Sequence, residues 1–342
     1  MVGKPNLLTH GFVFLLGLSL GLIFTLILRS VDPTAIQWKR FENIHLKTET
    51  SKVDGAPQTS NDAIDGHHNE DNAIPQDAIA KELYRKVRVA CWILTSPQNL
   101  DKKAIHVKNT WTKRCHIVVF MSSVQNDSFP TIGFNTSEGR HHLTAKTFQA
   151  FKYLYENHLK DADWFLKADD DTYVIMENLR YFLSNEDPNL PLYFGRTFVP
   201  MVKQGYASGG AGYVISREAL RRFGEGGIKN KTICKRDGGY EDVEFGKCME
   251  SLGVPLKNTS DALNRPRFHC YNPEAYIHLT FDRASMRIYD LEKDRGGMEN
   301  ISDYAISFHY ISSHRMYEME FFIYHLRPYG ILNTPQNLNV KS

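Results

Sequence analysis

From Lys86 onward the chain alternates short apolar runs with segments of helical period, and this alternation restricts its fold more than any other feature. "KVRVACWIL" (86–94), "HIVVFMSS" (116–123), "WFLKA" (164–168) and "LYFGRTF" (192–198) read as strands. Between and after them, "NLDKKAIHVKNTW" (99–111), "AKTFQAFKYLYENHL" (145–159), "VIMENLRYFLS" (174–184), "REALRRF" (217–223) and "EDVEFGKCMESLG" (241–253) carry helical patterns. Phe148, Phe151, Leu154 and Tyr155, for instance, return at helical spacing. Strand, helix, strand in succession predicts an α/β fold with a mostly parallel sheet flanked by helices. In such sheets ligands bind beyond the carboxyl ends of the strands.

At one such end stand three consecutive carboxylates, Asp169, Asp170 and Asp171, in "WFLKADDDTYV". Two like charges 4 Å apart repel by roughly 4 kcal/mol at an effective dielectric of 20. A solvated turn relieves this, but here apolar residues precede the run and another element follows it. A bound divalent cation removes the repulsion. Phosphatases of the haloacid-dehalogenase type need a Thr or Val two places after the second Asp, where Tyr173 stands here. Nucleotide-sugar transferases instead use Asp-x-Asp to hold a metal that bridges a diphosphate.

Three further stretches are candidates for the same site. "GYASGGAGYVIS" (205–216) permits close backbone approach. Glu241 and Asp242 open a helix, where acids also favour the N-terminus by charge alone. His309 sits in the apolar, alternating run "AISFHYIS", where a lone histidine is more often a core residue.

The N-terminus differs in kind. Gly11–Leu28 is uncharged and as a helix reaches about 27 Å, close to the thickness of the bilayer hydrocarbon. It is longer than the apolar region of a signal peptide, which favours an uncleaved anchor. The polar residues 29–80 then form a tether. Five Asn-x-Ser/Thr sequons (Asn126, Asn135, Asn230, Asn258, Asn300) point to a lumenal compartment. Five cysteines without a CxxC pair argue against a zinc site. Cys91 and Cys115 lie near the starts of two strands expected to be parallel neighbours, where a bridge is reasonable, and Cys234 with Cys248 would close a short loop. Net charge is +2 with acids and bases nearly balanced, which gives no footprint for nucleic acid.

Taken together, "KKAIHVKNTWTKRC", "DADWFLKADDDTYVIMENLR", "YFGRTFVPMVKQGYASGGAGYVIS", "EDVEFGKCME", "AISFHYIS" and "MYEMEFFIYHLRPYG" resemble the core 1 β1,3-galactosyltransferases. These are inverting β1,3-glycosyltransferases with a GT-A fold, and the resemblance spans roughly Ala80 to Leu332. It implies a type II Golgi membrane protein, usually a homodimer, with residues 1–10 cytoplasmic, 11–28 an anchor, 29–80 a stem and 81–342 the lumenal catalytic domain. It implies transfer from UDP-galactose to GalNAc-Ser/Thr acceptors, with Mn²⁺ held by Asp169, Asp171 and His309. Thr95, His106, Lys108, Thr110, Trp111, Asp170 and Tyr310 would lie on the nucleotide side, and Gly209 and Gly210 against the donor sugar. Asp242 would be the general base, although chemistry alone leaves Glu241 open. Two departures stand out. The Cys-Cys pair common before the Ser-Phe-His-Tyr segment is missing from "GGMENISDYAISFHY", and the acceptor-side stretch "LTFDRASMRIYDLEK" has fewer aromatics. A transferase for another UDP-sugar or acceptor, and a non-catalytic chaperone-like relative, remain the alternatives.

Overall fold

The computed structural model describes residues 77–291 and 296–328, all within one compact unit, Asn72–Ser342. The apolar run Gly11–Leu28, the tether and the tail after residue 328 lie outside the described residues. Among the described residues no helix is long and apolar enough to cross a membrane.

In chain order, helix α1 (Ala78–Lys86) leads into β1 (Val89–Leu94). Short 3₁₀ and π-helical turns then enter α2 (Ile105–Asn109), so the helical pattern expected over 99–111 is present but broken into types. β2 (Ile117–Ser122), β3 (Thr131–Gly133), α3 (Leu143–His158) and β4 (Trp164–Asp169) follow. After them come β5 (Tyr173–Val174), α4 (Met176–Leu183), β6 (Tyr193–Gly195), β7 (Thr197–Phe198), β8 (Tyr206–Ala207), β9 (Tyr213–Ser216) and α5 (Arg217–Arg222). The chain continues through α6 (Glu241–Ser251), β10 (Leu256–Lys257), β11 (Phe268–His269), α7 (Pro273–Ile277), α8 (Arg283–Tyr289), β12 (Ser307–Phe308) and α9 (Ser313–Tyr324).

The main sheet runs β10-β6-β9-β4-β1-β2-β3. β1 pairs in parallel with both β2 and β4, and β2 with β3, as the alternation predicts. β9 departs from it, lying antiparallel between β4 and β6. β1 reads as an unbroken apolar run, and β4 as one interrupted by Lys167, because helices cover both faces of the sheet. Cys91, Ile93, Leu166 and Ala168 face one core with Met176 and Leu179 of α4 and Met316 of α9. Trp92 and Phe165 face the other with Phe148, Phe151 and Leu154 of α3 and Phe245 of α6.

A three-stranded sheet, β11-β12-β5, sits at the carboxyl end of β4, with β12 antiparallel to β5. Cys91–Cys115 and Cys234–Cys248 are disulfides, the first joining the starts of neighbouring strands as expected. Cys270 is buried and takes part in neither bridge.

Candidate active site

The aspartate run is a tight turn in which each carboxylate has a different task. Asp169 is the last residue of β4, and Thr172 closes the turn by donating its backbone N–H to the Asp169 carbonyl at 3.1 Å. Because β12 pairs with β5, Phe308 stands opposite Tyr173 and the next residue, His309, reaches back over the turn. His309 Nε2 lies 3.1 Å from Asp171 Oδ1 and 3.8 Å from Asp169 Oδ2. One ligand atom from each of Asp169, Asp171 and His309 lies within 4.8 Å of the others. Two carboxylates and an imidazole converging in this way fit a divalent cation such as Mn²⁺, without excluding other metals. Burial works against the charge on Asp171. Even so, His309 and then Lys103, whose Nζ donates to Asp171 Oδ2 at 2.8 Å, hold its carboxyl well below the usual range.

Asp170 points the other way. Its Oδ2 accepts from Thr95 Oγ1 at 2.8 Å and from Asn99 Nδ2 at 2.9 Å, tying the turn to the end of β1. Burial pushes its pKa up to about 6 against the pull of these two hydrogen bonds.

The glycine-rich segment is a loop whose three successive carbonyls are pinned from below. Lys167 Nζ donates to Gly209 O at 3.0 Å, Thr172 Oγ1 to Gly210 O at 2.8 Å and Ser307 Oγ to Ala211 O at 2.5 Å. The donors come from β4, the aspartate turn and β12, so the loop is fixed to the elements that build the cation site. The resemblance sets these glycines against a sugar, and packing against their neighbours requires glycine there as well. A Cβ on Gly210 would fall 2.3 Å from the His309 ring, and one on Gly209 would fall 2.7 Å from Glu241 Oε2.

Glu241 and Asp242 occupy the first turn of α6 and part ways there. Glu241 is buried, and its Oε1 accepts from Thr147 Oγ1 at 2.8 Å and Tyr213 OH at 2.7 Å. Asp242 is half-buried; its Oδ2 accepts the Gly209 N–H at 3.3 Å and its Oδ1 the Val243 N–H at 2.9 Å. Burial raises the pKa of both carboxyls. Both hydroxyls fall on one Glu241 oxygen, and both acids border a common cleft; Asp242 is the more exposed of the two.

A cleft of about 490 Å³ joins these parts, bordered by Asp169, Gly209, Gly210, Asp242, His309 and Tyr310. Phe198, Tyr240, Tyr271 and Tyr289 also border it. The aromatic wall therefore exists despite the sparse "LTFDRASMRIYDLEK" stretch, which supplies only Tyr289 of these four. Tyr310 has a left-handed backbone (φ 55°) and lies against His309, ring centroids 3.9 Å apart.

The other nucleotide-side candidates do not border this cleft. Thr110 and Trp111 are buried; Thr110 Oγ1 donates to the His106 carbonyl at 2.7 Å, and Trp111 Nε1 to the Thr172 carbonyl at 3.0 Å, buttressing the aspartate turn from behind. Lys108 lies over the Phe129 ring, and His106 Nδ1 is 3.0 Å from the Tyr317 hydroxyl. Sequence reasoning missed the supporting shell of Thr147, Thr172, Tyr213 and Ser307. Its one visible signal was a lysine inside an otherwise apolar strand.

This arrangement defines a class, a cation–carboxylate centre at strand ends with a second carboxylate on a neighbouring helix, and sequence comparison agrees. The Fringe-like family profile matches residues 92–276, and the chain belongs to that family. It is 48% identical over 264 residues to glycoprotein-N-acetylgalactosamine 3-beta-galactosyltransferase 1 of Xenopus laevis, covering 75% of this chain and 72% of that protein. It is 30% identical over 177 residues to the beta-1,3-glucosyltransferase of Mus musculus, covering 50% of this chain and 33% of that protein. Among solved structures, the galactosyltransferase LgtC in complex with donor and acceptor sugar analogues aligns at 14% identity and a TM-score of 0.42, over 70% of this chain and 98% of that one. A likeness that low carries no weight for the site.

Proposed function

We propose that this chain is an inverting glycosyltransferase of GT-A type that moves galactose from UDP-galactose to the 3-hydroxyl of GalNAc on Ser/Thr of glycoproteins. One observation carries the reading: Asp169 and His309 of the Asp169–Asp171–His309 cluster border the same cleft as the Asp242 carboxylate, with the Gly209–Gly210 loop hydrogen-bonded to the aspartate turn and to Asp242. The activity in the name of the 48%-identical Xenopus relative suggests the transferred sugar and the acceptor.

Asp169, Asp171 and His309 would hold Mn²⁺, which when bound supplies positive charge to the departing diphosphate. Asp242 takes the proton from the attacking hydroxyl. Its burial suits a base, since it makes the carboxylate more basic than one in water. The Gly209 N–H holds one Asp242 oxygen in place. The aromatic wall offers flat apolar faces to the acceptor sugar.

Golgi residence as a single-pass type II protein is part of the proposal, with 1–10 cytoplasmic, 11–28 the anchor, 29–80 the stem, 81–342 catalytic, and a homodimer in the membrane. Two disulfides and the sequons support an oxidising lumen.

The test is transfer by the full chain to a GalNAc-α-Thr peptide, with UDP-galactose and a panel of other UDP-sugars, with and without Mn²⁺. Mn²⁺-dependent galactosyl transfer is expected. Turnover with another donor alone replaces the donor assignment, and absence of Mn²⁺-dependent UDP binding leaves the chaperone-like alternative standing.

A further inference from the structure

A buried charge at the cleft belongs to a side chain that the proposed reaction does not use. Lys167 lies in β4 between apolar residues and is 1% exposed. Its Nζ donates to Asp169 Oδ1 at 2.5 Å and to Gly209 O at 3.0 Å. Gly209 in turn donates its N–H to Asp242 Oδ2. Asp169, Lys167, Gly209 and Asp242 thus form one continuous hydrogen-bonded path from a cation-ligating carboxylate to the candidate base.

We propose that Lys167 is a positioning residue that sets the orientation of Asp169 and of the Gly209 segment together, so that the cation centre and the base are aligned by one ammonium. The inference rests on the function proposed above. Occupying Asp169 Oδ1 leaves Oδ2 directed at His309 and the cation position. Drawing the Gly209 carbonyl inward leaves its N–H facing Asp242. A buried ammonium is costly unless its partners are fixed, so the same burial that makes Lys167 expensive also denies its partners other arrangements. Lys103, by contrast, reaches Asp171 on a half-exposed side chain and is free of that constraint.

Simple neutralisation and positioning make opposite predictions. Deleting a cation beside Asp169 removes a like charge from the Mn²⁺ site, which by itself tightens Mn²⁺ binding. Loss of ligand alignment weakens it, typically 10- to 100-fold for a group that orients a metal ligand. A purely structural lysine changes the melting temperature and leaves the affinity of the folded protein unchanged.

The experiment measures Mn²⁺ binding to the full chain by electron paramagnetic resonance, for the parent, Lys167→Met and Lys167→Gln. Lys167→Met is expected to bind Mn²⁺ on the order of 10-fold more weakly and to lose kcat for transfer at unchanged acceptor KM. Lys167→Gln, which can still donate to Gly209 O, is expected to recover part of kcat but not Mn²⁺ affinity. Equal or tighter Mn²⁺ binding in folded Lys167→Met overturns the inference while leaving the function intact. If that variant does not fold, the same criterion applied to Lys167→Gln decides. A parent that binds no Mn²⁺ overturns the proposed function and this inference with it.

Discussion

Asp163 precedes β4 and Asp169, Asp170 and Asp171 close it, and the two ends of this one strand treat carboxylates in opposite ways. At the amino end, Asp163 is saturated. Arg88 donates Nε at 3.0 Å, Nη2 at 2.8 Å and its backbone N–H at 3.3 Å, while Arg217 Nη1 donates at 2.7 Å. Two guanidiniums meet one carboxylate, and nothing is left over to bind. At the carboxyl end, three carboxylates share two lysines and a histidine, and oxygens of Asp169 and Asp171 converge on a common point. Both ends are rich in charge, but only the second leaves an electrostatic deficit that a cation can fill. A count of charges does not separate structure from function here; the balance of donors against acceptors does.

Substitutions should separate the two ends. The largest effect belongs to Asp242→Asn, which is expected to lower transfer roughly 10³-fold while UDP binding persists. Near-normal turnover removes Asp242 from its role and returns Glu241 to consideration. Next, His309→Ala is expected to weaken Mn²⁺-dependent UDP binding on the order of 100-fold, with a melting temperature close to the parent's, read by calorimetric titration and thermal melt. A large loss of stability with retained binding would mean that the carboxyl end resembles the amino end after all.

Asp163→Ala should do the reverse. It is expected to cost about 1–2 kcal/mol of stability, discounted because both arginines are partly exposed, with kcat unchanged at 25 °C. Tyr271→Ala is expected to raise acceptor KM about 3- to 10-fold and leave donor hydrolysis alone, measured by steady-state kinetics with peptide acceptor. The smallest effect concerns acid. Burial opposes the Asp163 charge, but Arg88 lowers its pKa below the ordinary 3.8. The stability it contributes is therefore present above that value and lost as pH falls through the lower folded pKa. Thermal melts should show a shallower acid decline in Asp163→Ala than in the parent.

The parallel sheet and the helices around it were legible because two-sided burial writes itself as apolar runs. β9 was not. Four residues following a glycine-rich loop carry too little pattern to announce a strand, and its antiparallel insertion between β4 and β6 is a tertiary fact. Within the site, Asp169, Asp171 and His309 were legible from charge crowding and from the family resemblance. Their neighbour Asp170 looks identical in sequence, yet it serves as a strut to Thr95 and Asn99. Glu241 and Asp242 are adjacent on a helix, so about 100° of rotation separates them, and only the packing of α6 decides that Glu241 is the more buried of the two although both border the cleft. Trp111, placed on the nucleotide side by resemblance, holds up the aspartate turn from within the core, and Thr110 bonds back to carbonyls of α2.

The candidate cation centre draws its carboxylates from the turn after β4 and its imidazole from far along the chain, just after β12. Asp169, Asp171 and Asp242 are synthesised well before β12 exists, and His309 reaches the two aspartates of the turn only when β12 pairs with β5. An emerging polypeptide that has passed Asp242 holds most of the cleft's machinery but not its third ligand. Competence of this candidate site to bind a cation thus waits until β12 has been made and paired, and a fragment ending before β12 carries the acidic run without the imidazole.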